Sequence, residues 1–309
     1  MSEELDVVIV GGGPSALAAA LYTGRANMDT KILERQILGG QIVEAYDVDN
    51  YPGFPEGVTG PDLVEQMQAH AEKFGAEIEY EEVKDITLDG SMKRVITEKN
   101  EYVAPIVILA SGADHRKLGV PGEKELSGKG VSYCATCDGA FFVDKKLVVV
   151  GGGDAATTES LFLTRFASEI KLVHRRQGFR ARAIHKENVQ NHEKIEFILD
   201  TIVTEIHGDE KVEGVTLKNV QTEETRYLEC DGVFILIGAN PNTEYLQSIM
   251  PEYAGTVIPV DFNMETEVKG VYAVGDVRKG SYRQVGTGIG EAITAAMHSE
   301  ERIKSLMEE

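Results

Sequence analysis

The chain has 309 residues, is 42% hydrophobic and 27% charged, and contains three cysteines and no tryptophan; that length predicts about two domains. Fifty-one acids against 31 bases give a net charge of −20, which argues against a nucleic acid or an anionic membrane as partner, since both are polyanions. Three cysteines are too few for a disulfide scaffold.

The chain opens on Met-Ser-Glu-Glu-Leu-Asp and enters a strand at Val7. This start is acidic and lacks the longer apolar stretch of a secretory signal. No run approaches the ~18 apolar residues of a membrane span. The cytoplasm is therefore the expected compartment, and there a close cysteine pair is more often catalytic or metal-binding than structural.

Residues 6 to 35 read "DVVIVGGGPSALAAALYTGRANMDTKILER". An apolar run leads into three glycines, then a stretch of helical period, then a second short apolar run. Residues 146 to 175, "KLVVVGGGDAATTESLFLTRFASEIKLVHR", repeat the pattern. Gly11 to Glu34 is 23 residues, and so is Gly151 to His174. One β-α-β unit is used twice. In such a unit the glycine turn lets the backbone approach a pyrophosphate, which sits on the unpaired N–H groups opening the helix. The turn of the first copy supplies Gly11, Gly13, Pro14, Ser15 and Ala16 as candidate contacts. That of the second supplies Gly151, Gly153, Asp154 and Ala155, with Ala156 in the last fingerprint slot. A lone fingerprint is weak, whereas two in strand-turn-helix context with equal offsets are strong.

The copies differ where a ribose is read. Glu34 ends the second strand of copy one, where a carboxylate accepts ribose hydroxyls and repels a 2′-phosphate, so this copy suits FAD or NAD. Copy two has His174 there, with Arg175, Arg176 and Arg180 following. Arginine binds phosphate bidentately, so copy two suits NADPH.

Between and after the copies, residues 77–103 alternate short strands and turns, with the acidic run "EYEEVKD" (79–85) expected to be a solvated face. "PIVILASG" is a buried strand, and "LGVPGEKELSGKG" (118–130) reads as a linker by its glycine and proline. Residues 195–230 again make short strands, "DGVFILIGANPNT" and "KGVYAVGDV" give buried strands, and a helix is expected from about Thr287 onward. The expected fold is α/β, with two three-layer Rossmann-like nucleotide-binding domains, the second inserted into the first. Residues 1–115 and 243–309 form the first, and 116–242 the second, which also holds the cysteine pair.

That pair is Cys134-Ala-Thr-Cys137, followed directly by Asp138. A structural zinc site needs four Cys or His ligands. No second C-x-x-C is present, the seven histidines show no ligand spacing with the pair, and Cys230 stands alone in a strand, where it reads as a small buried hydrophobe. A redox dithiol is the remaining reading: such motifs lower thiol pKa and exchange through a mixed disulfide.

Taken in order and spacing, "GGQ" (39–41), "VDNYPGF" (48–54), "CATCDGAFF" (134–142), "HRRQGFRA" (174–181), "GANPNT" (238–243) and "GDVRKGSYRQ" (275–284) resemble the low-molecular-weight thioredoxin reductases nearly end to end. The resemblance implies FAD contacts from Gly11, Gly13, Glu34, Gly40, Gln41, Asn50, Asp276, Gln284 and Val285. It implies NADPH contacts from Gly151, Gly153, His174, Arg175, Arg176 and Arg180. It also implies a homodimer that reduces thioredoxin, with Cys134 facing the substrate and Cys137 the flavin. Asp138 is given the role of proton donor or acceptor, and from its position it fits a helix cap equally well. Two departures from the pattern are Ser15-Ala16 after the Gly-Pro and the final helix "GTGIGEAITAAM" (286–297). A flavin-dependent dithiol oxidase or a reductase of another disulfide protein is the alternative; the arginine cluster argues against the oxidase.

Overall fold

The computed structural model describes residues 2–45 and 47–308. Its six α-helices among those residues are α1 (Pro14–Arg25), α2 (Gly60–Glu72), α3 (Ala135–Asp138), α4 (Asp154–Leu163), α5 (Ala183–Gln190) and α6 (Val285–Glu308). The chain divides into two compact units, Met1–Asp114 with Asn240–Glu309, and His115–Ala239.

The first unit is built on a parallel sheet in the order Val271–Ala273, Ile106–Leu109, Val7–Val10, Thr30–Leu33, Glu77–Glu79. Its strands Val7–Val10 and Ile106–Leu109 read as unbroken apolar runs because both faces are covered. Val7 and Ile9 point to one side and pack with Leu17, Ala19, Ala292 and Ala295 of α1 and α6. Val8 and Val10 point to the other, against Val95, Tyr102 and Ile86 of a second, four-stranded sheet. Period-two alternation thus sorts one short strand into two cores, and the result is helix layer, parallel sheet, mostly antiparallel sheet.

The second unit repeats this plan. Its parallel sheet runs Val131–Ser132, Gly232–Leu236, Lys146–Gly151, Glu169–Val173, Ile195–Ile198. Leu147 and Val149 pack with Ala156 and Leu163 of α4. Val148 and Val150 pack with Val203, Val215 and Leu217 of the antiparallel strands Thr201–His207 and Gly214–Asn219. The expected α/β class with two Rossmann-like folds is what the chain adopts.

Two expectations are corrected. Residues 118–130 are not a free linker: Leu126 is in the second unit's core, and Glu123, only 4% exposed, accepts the Leu118 and Gly119 N–H groups at 2.9 and 2.6 Å. The run 79–85 is not wholly solvated. Glu81 is buried and takes hydrogen bonds from Thr97 Oγ1 (2.5 Å) and Asn100 Nδ2 (2.6 Å), which satisfy its charge. The last helix is found where it was expected, beginning at Val285, with the Gln284 carbonyl accepting the Gly288 N–H at 3.0 Å. The departure Ser15 and the departure helix also explain each other: a Cβ on Gly288 would lie 2.5 Å from Ser15 Oγ, so glycine there lets α6 close on the serine.

Candidate active site

In the first unit the glycine turn is compact for steric reasons. Gly11 has φ +103°, and a Cβ there would lie 2.5 Å from the Ala110 carbonyl oxygen. Gly11→Ala is therefore expected to lower the free energy of urea unfolding by about 2–4 kcal/mol, from left-handed strain plus overpacking. An unchanged midpoint would contradict this steric account. Gly39 N–H donates to the Gly12 carbonyl at 2.7 Å, which lays the 39–41 segment along the turn, and Gly40 there has φ +59°.

Glu34 is buried, and both its oxygens are engaged within the protein. Oε2 accepts the Gly12 N–H at 2.6 Å and Oε1 the Gln36 N–H at 2.8 Å. Each carboxylate oxygen keeps a second lone pair for a hydroxyl. Gln41 donates to the Ala113 carbonyl, and Asn50 Nδ2 reaches Gln284 Oε1 at 3.4 Å. Asp276 is half-buried, and burial pushes its carboxyl above the usual range, with Arg283 opposing and Glu291 adding to the rise.

In the second unit His174 occupies the place of Glu34, and its ring lies against Gly152 as Glu34 lies against Gly12. Nε2 meets the Gly178 carbonyl at 3.2 Å, and the ring stacks on Phe179 at 4.9 Å. Burial holds its pKa below the ordinary imidazole value, hydrogen bonds to Gly178 and Gly151 oppose that, and Arg175 and Arg176 reinforce it. The Arg180 N–H donates to the Gly152 carbonyl at 2.8 Å, tying the arginine loop to the turn. Arg175, Arg176 and Arg180 are exposed. Asp154 is held by Arg182, whose N–H donates to Oδ1 at 2.8 Å and whose Nε lies 3.3 Å from Oδ2.

Both helix starts fit an anion. α2 has a side-chain cap, Thr59, which accepts the Asp62 N–H at 3.2 Å. α1 and α4 have glycine caps with no side-chain bond. A Cβ on Gly153 would meet nothing within 4 Å inside the chain, and one on Gly13 only the Gly39 oxygen at 3.9 Å. Helix starts capped by glycine beside open space suit a pyrophosphate.

Cys134 and Cys137 form a disulfide with Cα atoms 5.3 Å apart. Cys134 opens α3 as its cap, Sγ accepting the Cys137 N–H at 3.2 Å. The cap position is thus taken by sulfur, and Asp138 ends the turn without a side-chain cap bond, contrary to the capping alternative. Ser132 Oγ accepts the Cys134 N–H at 3.1 Å, and Glu159 Oε2 accepts the Ala135 N–H at 3.0 Å. Cys230 is buried, with its thiol pushed up to about 12 by burial and then by Asp231, as an inert core residue should be. Among the described residues no cluster of His, Cys, Asp and Glu could hold a metal, and no helix is long and apolar enough to cross a membrane.

Two site residues escaped sequence reasoning. Glu291 accepts the Gly275 N–H at 2.8 Å and pairs with Arg278 at 2.5 Å, fixing the loop that bears Asp276. Its signal was an acid alone among small residues in "GTGIGEAITAAM". Glu159 gave no such signal.

Residues 5–297 match the model of the pyridine nucleotide-disulphide oxidoreductase family. A thioredoxin reductase of Bacillus subtilis is 46% identical over 312 aligned positions, covering 100% of this chain and 98% of that one. One of Listeria monocytogenes is 43% identical, covering 98% and 95%. The crystal structure of thioredoxin reductase from Streptococcus pyogenes is 40% identical, covers 99% of this chain and 100% of its own, and superposes with a TM-score of 0.93. The chain, with its redox-type Cys134–Cys137 disulfide and paired nucleotide folds, belongs to the pyridine nucleotide-disulphide oxidoreductases and, among them, to the thioredoxin reductases.

Proposed function

We propose that this enzyme uses NADPH, through FAD, to reduce the disulfide of thioredoxin. The observation that supports it best is one unit bearing both the Cys134–Cys137 disulfide and a glycine turn whose ribose position reads His174-Arg175-Arg176. FAD falls to the first unit, where Gly11, Gly13, Pro14, Ser15, Ala16, Gly40, Gln41, Asn50, Asp276, Gln284 and Val285 would hold it with Glu34 accepting ribose hydroxyls. NADPH falls to the second, at Gly151, Gly153, Asp154, Ala155 and His174, with Arg175, Arg176 and Arg180 on its 2′-phosphate. When bound, the two cofactors supply hydride transfer and a two-electron carrier.

The protein's own chemistry is thiol–disulfide exchange. With the pair reduced, the Cys134 thiolate attacks one sulfur of the thioredoxin disulfide, forming a mixed disulfide and expelling the other sulfur as a thiolate. Cys137 then attacks Cys134, reforming the internal disulfide and releasing dithiol thioredoxin. Asp138, adjacent to Cys137, is suited to pass the proton. Family resemblance supports a homodimer and a cytoplasmic setting.

The test is spectroscopic. The purified protein is expected to be yellow with one FAD per chain, to bleach when NADPH is added without oxygen, and to regain colour when oxidised thioredoxin follows. A colourless protein that FAD cannot reconstitute defeats the cofactor assignment. Bleaching that thioredoxin does not reverse defeats the substrate assignment.

A further inference from the structure

Glu159 lies in α4, on the helix that opens with the Gly153 turn, yet its carboxylate is spent on the cysteine loop. Oε2 accepts the Ala135 N–H at 3.0 Å. Ala135 is bonded to Cys134, so a negative charge abuts the peptide next to the attacking sulfur. The position of that peptide is already well determined. Ser132 Oγ accepts the Cys134 N–H at 3.1 Å, and the Asp138 N–H donates to the Cys134 carbonyl at 3.1 Å. A neutral Gln or Thr would serve as an anchor; an acid adds an electrostatic consequence. A like charge nearby disfavours ionisation of a thiol, and an N–H given to a carboxylate has less to offer a thiolate.

We propose that Glu159 is a positioning residue for the dithiol whose charge suppresses ionisation of the Cys134 thiol and thereby makes the pair a stronger reductant. A dithiol whose reduced form is stabilised is an oxidant; withholding that stabilisation drives electrons outward, as a reductase needs. The inference rests on the reading of this pair as the redox centre. Cys137 and Asp138 are ionisable groups that share α3 with Cys134. Tyr133, just before it, donates to Glu123 at 2.9 Å, lies under Lys117 at 3.9 Å and stacks on His115 at 5.4 Å. All of these stay constant in the comparison below.

In the Cys137→Ser protein Cys134 is a single thiol of the loop, and the pH dependence of its alkylation by iodoacetamide reports its ionisation. Adding Glu159→Gln retains an acceptor oxygen for Ala135 and deletes the charge. The inflection is expected to move down by about one pH unit, with alkylation near pH 7 about five- to tenfold faster. Glu159→Ala, the second variant should the first not fold, is expected to shift the same way. Glu169→Gln, which removes a carboxylate paired with Lys171 elsewhere in the unit, leaves the profile in place. In the chain with both cysteines, equilibration with dithiothreitol at pH 9 moves toward the protein dithiol by about tenfold in Glu159→Gln, or about 30 mV for this two-electron couple. In that exchange dithiothreitol loses two electrons and two protons as it closes to its cyclic disulfide, and the protein disulfide opens to two thiols. A folded Glu159→Gln protein with the parent profile overturns the proposal, even if Glu159→Ala differs, because only the hydrogen bond would then matter. Neither assay uses nucleotide, flavin turnover or thioredoxin, so failure here is distinct from failure of the proposed function.

Discussion

Cys137→Ser is expected to accumulate a covalent adduct with thioredoxin, visible on a non-reducing gel and abolished by dithiothreitol, while Cys134→Ser accumulates far less. The reason is the order of exchange. Attack by one thiolate leaves the enzyme tied to its substrate until the neighbouring thiol releases it. The 5.3 Å separation of the two Cα atoms puts the second sulfur within reach of the first, and serine at 137 removes the releasing step alone. Thioredoxin reduction should fall by on the order of a thousandfold or more in both variants, as loss of a covalent nucleophile does elsewhere. Bleaching by NADPH should survive in both, since hydride transfer uses neither sulfur. Near-normal thioredoxin reduction by Cys134→Ser would remove the pair from the electron path.

How much of this was legible in the chain depends on what each feature rests on. The glycine turns could be read because they answer local steric demands: a Cβ at Gly11 meets the next strand's end, and one at Gly151 would lie 2.5 Å from Ala156 Cβ. The parallel strands could be read because burial on both faces removes alternation, as in the fully buried Val7–Val10. The cysteine pair announced itself by spacing. What stayed hidden were single acids whose partners lie far along the chain. Glu291 reaches back to Gly275, Glu159 to Ala135, and Glu81 forward to Thr97 and Asn100. A carboxylate in sequence looks solvated by default, and only the fold shows which N–H or hydroxyl it satisfies. Residues 118–130 misled for the same reason, their glycines and proline hiding the buried Glu123 that folds the segment on itself.

The arginines of the second turn give the other large effect. Replacing Arg175 and Arg176 together by neutral residues is expected to raise the KM for NADPH steeply while NADH use changes little. Both side chains are exposed and have no ion-pair partner among the described residues. Their removal thus breaks no ion pair among the described residues, and a loss confined to NADPH would come from the ligand. A hydrogen bond to a charged group is worth about 1.5–3 kcal/mol, so losing one from each arginine amounts to about 3–6 kcal/mol. That is on the order of a hundred- to ten-thousandfold in kcat/KM for NADPH. The fold around the turn should persist, because the loop is tied by the Arg180 N–H to the Gly152 carbonyl at 2.8 Å and by the Arg182 N–H to Asp154 at 2.8 Å, neither of which the substitutions touch. The lowered pKa of His174 should relax upward, since two cations that disfavour its protonation are gone. Steady-state kinetics with both nucleotides decides the matter: equal loss for NADPH and NADH would show that these arginines hold the loop or the shared part of the ligand and do not read a 2′-phosphate.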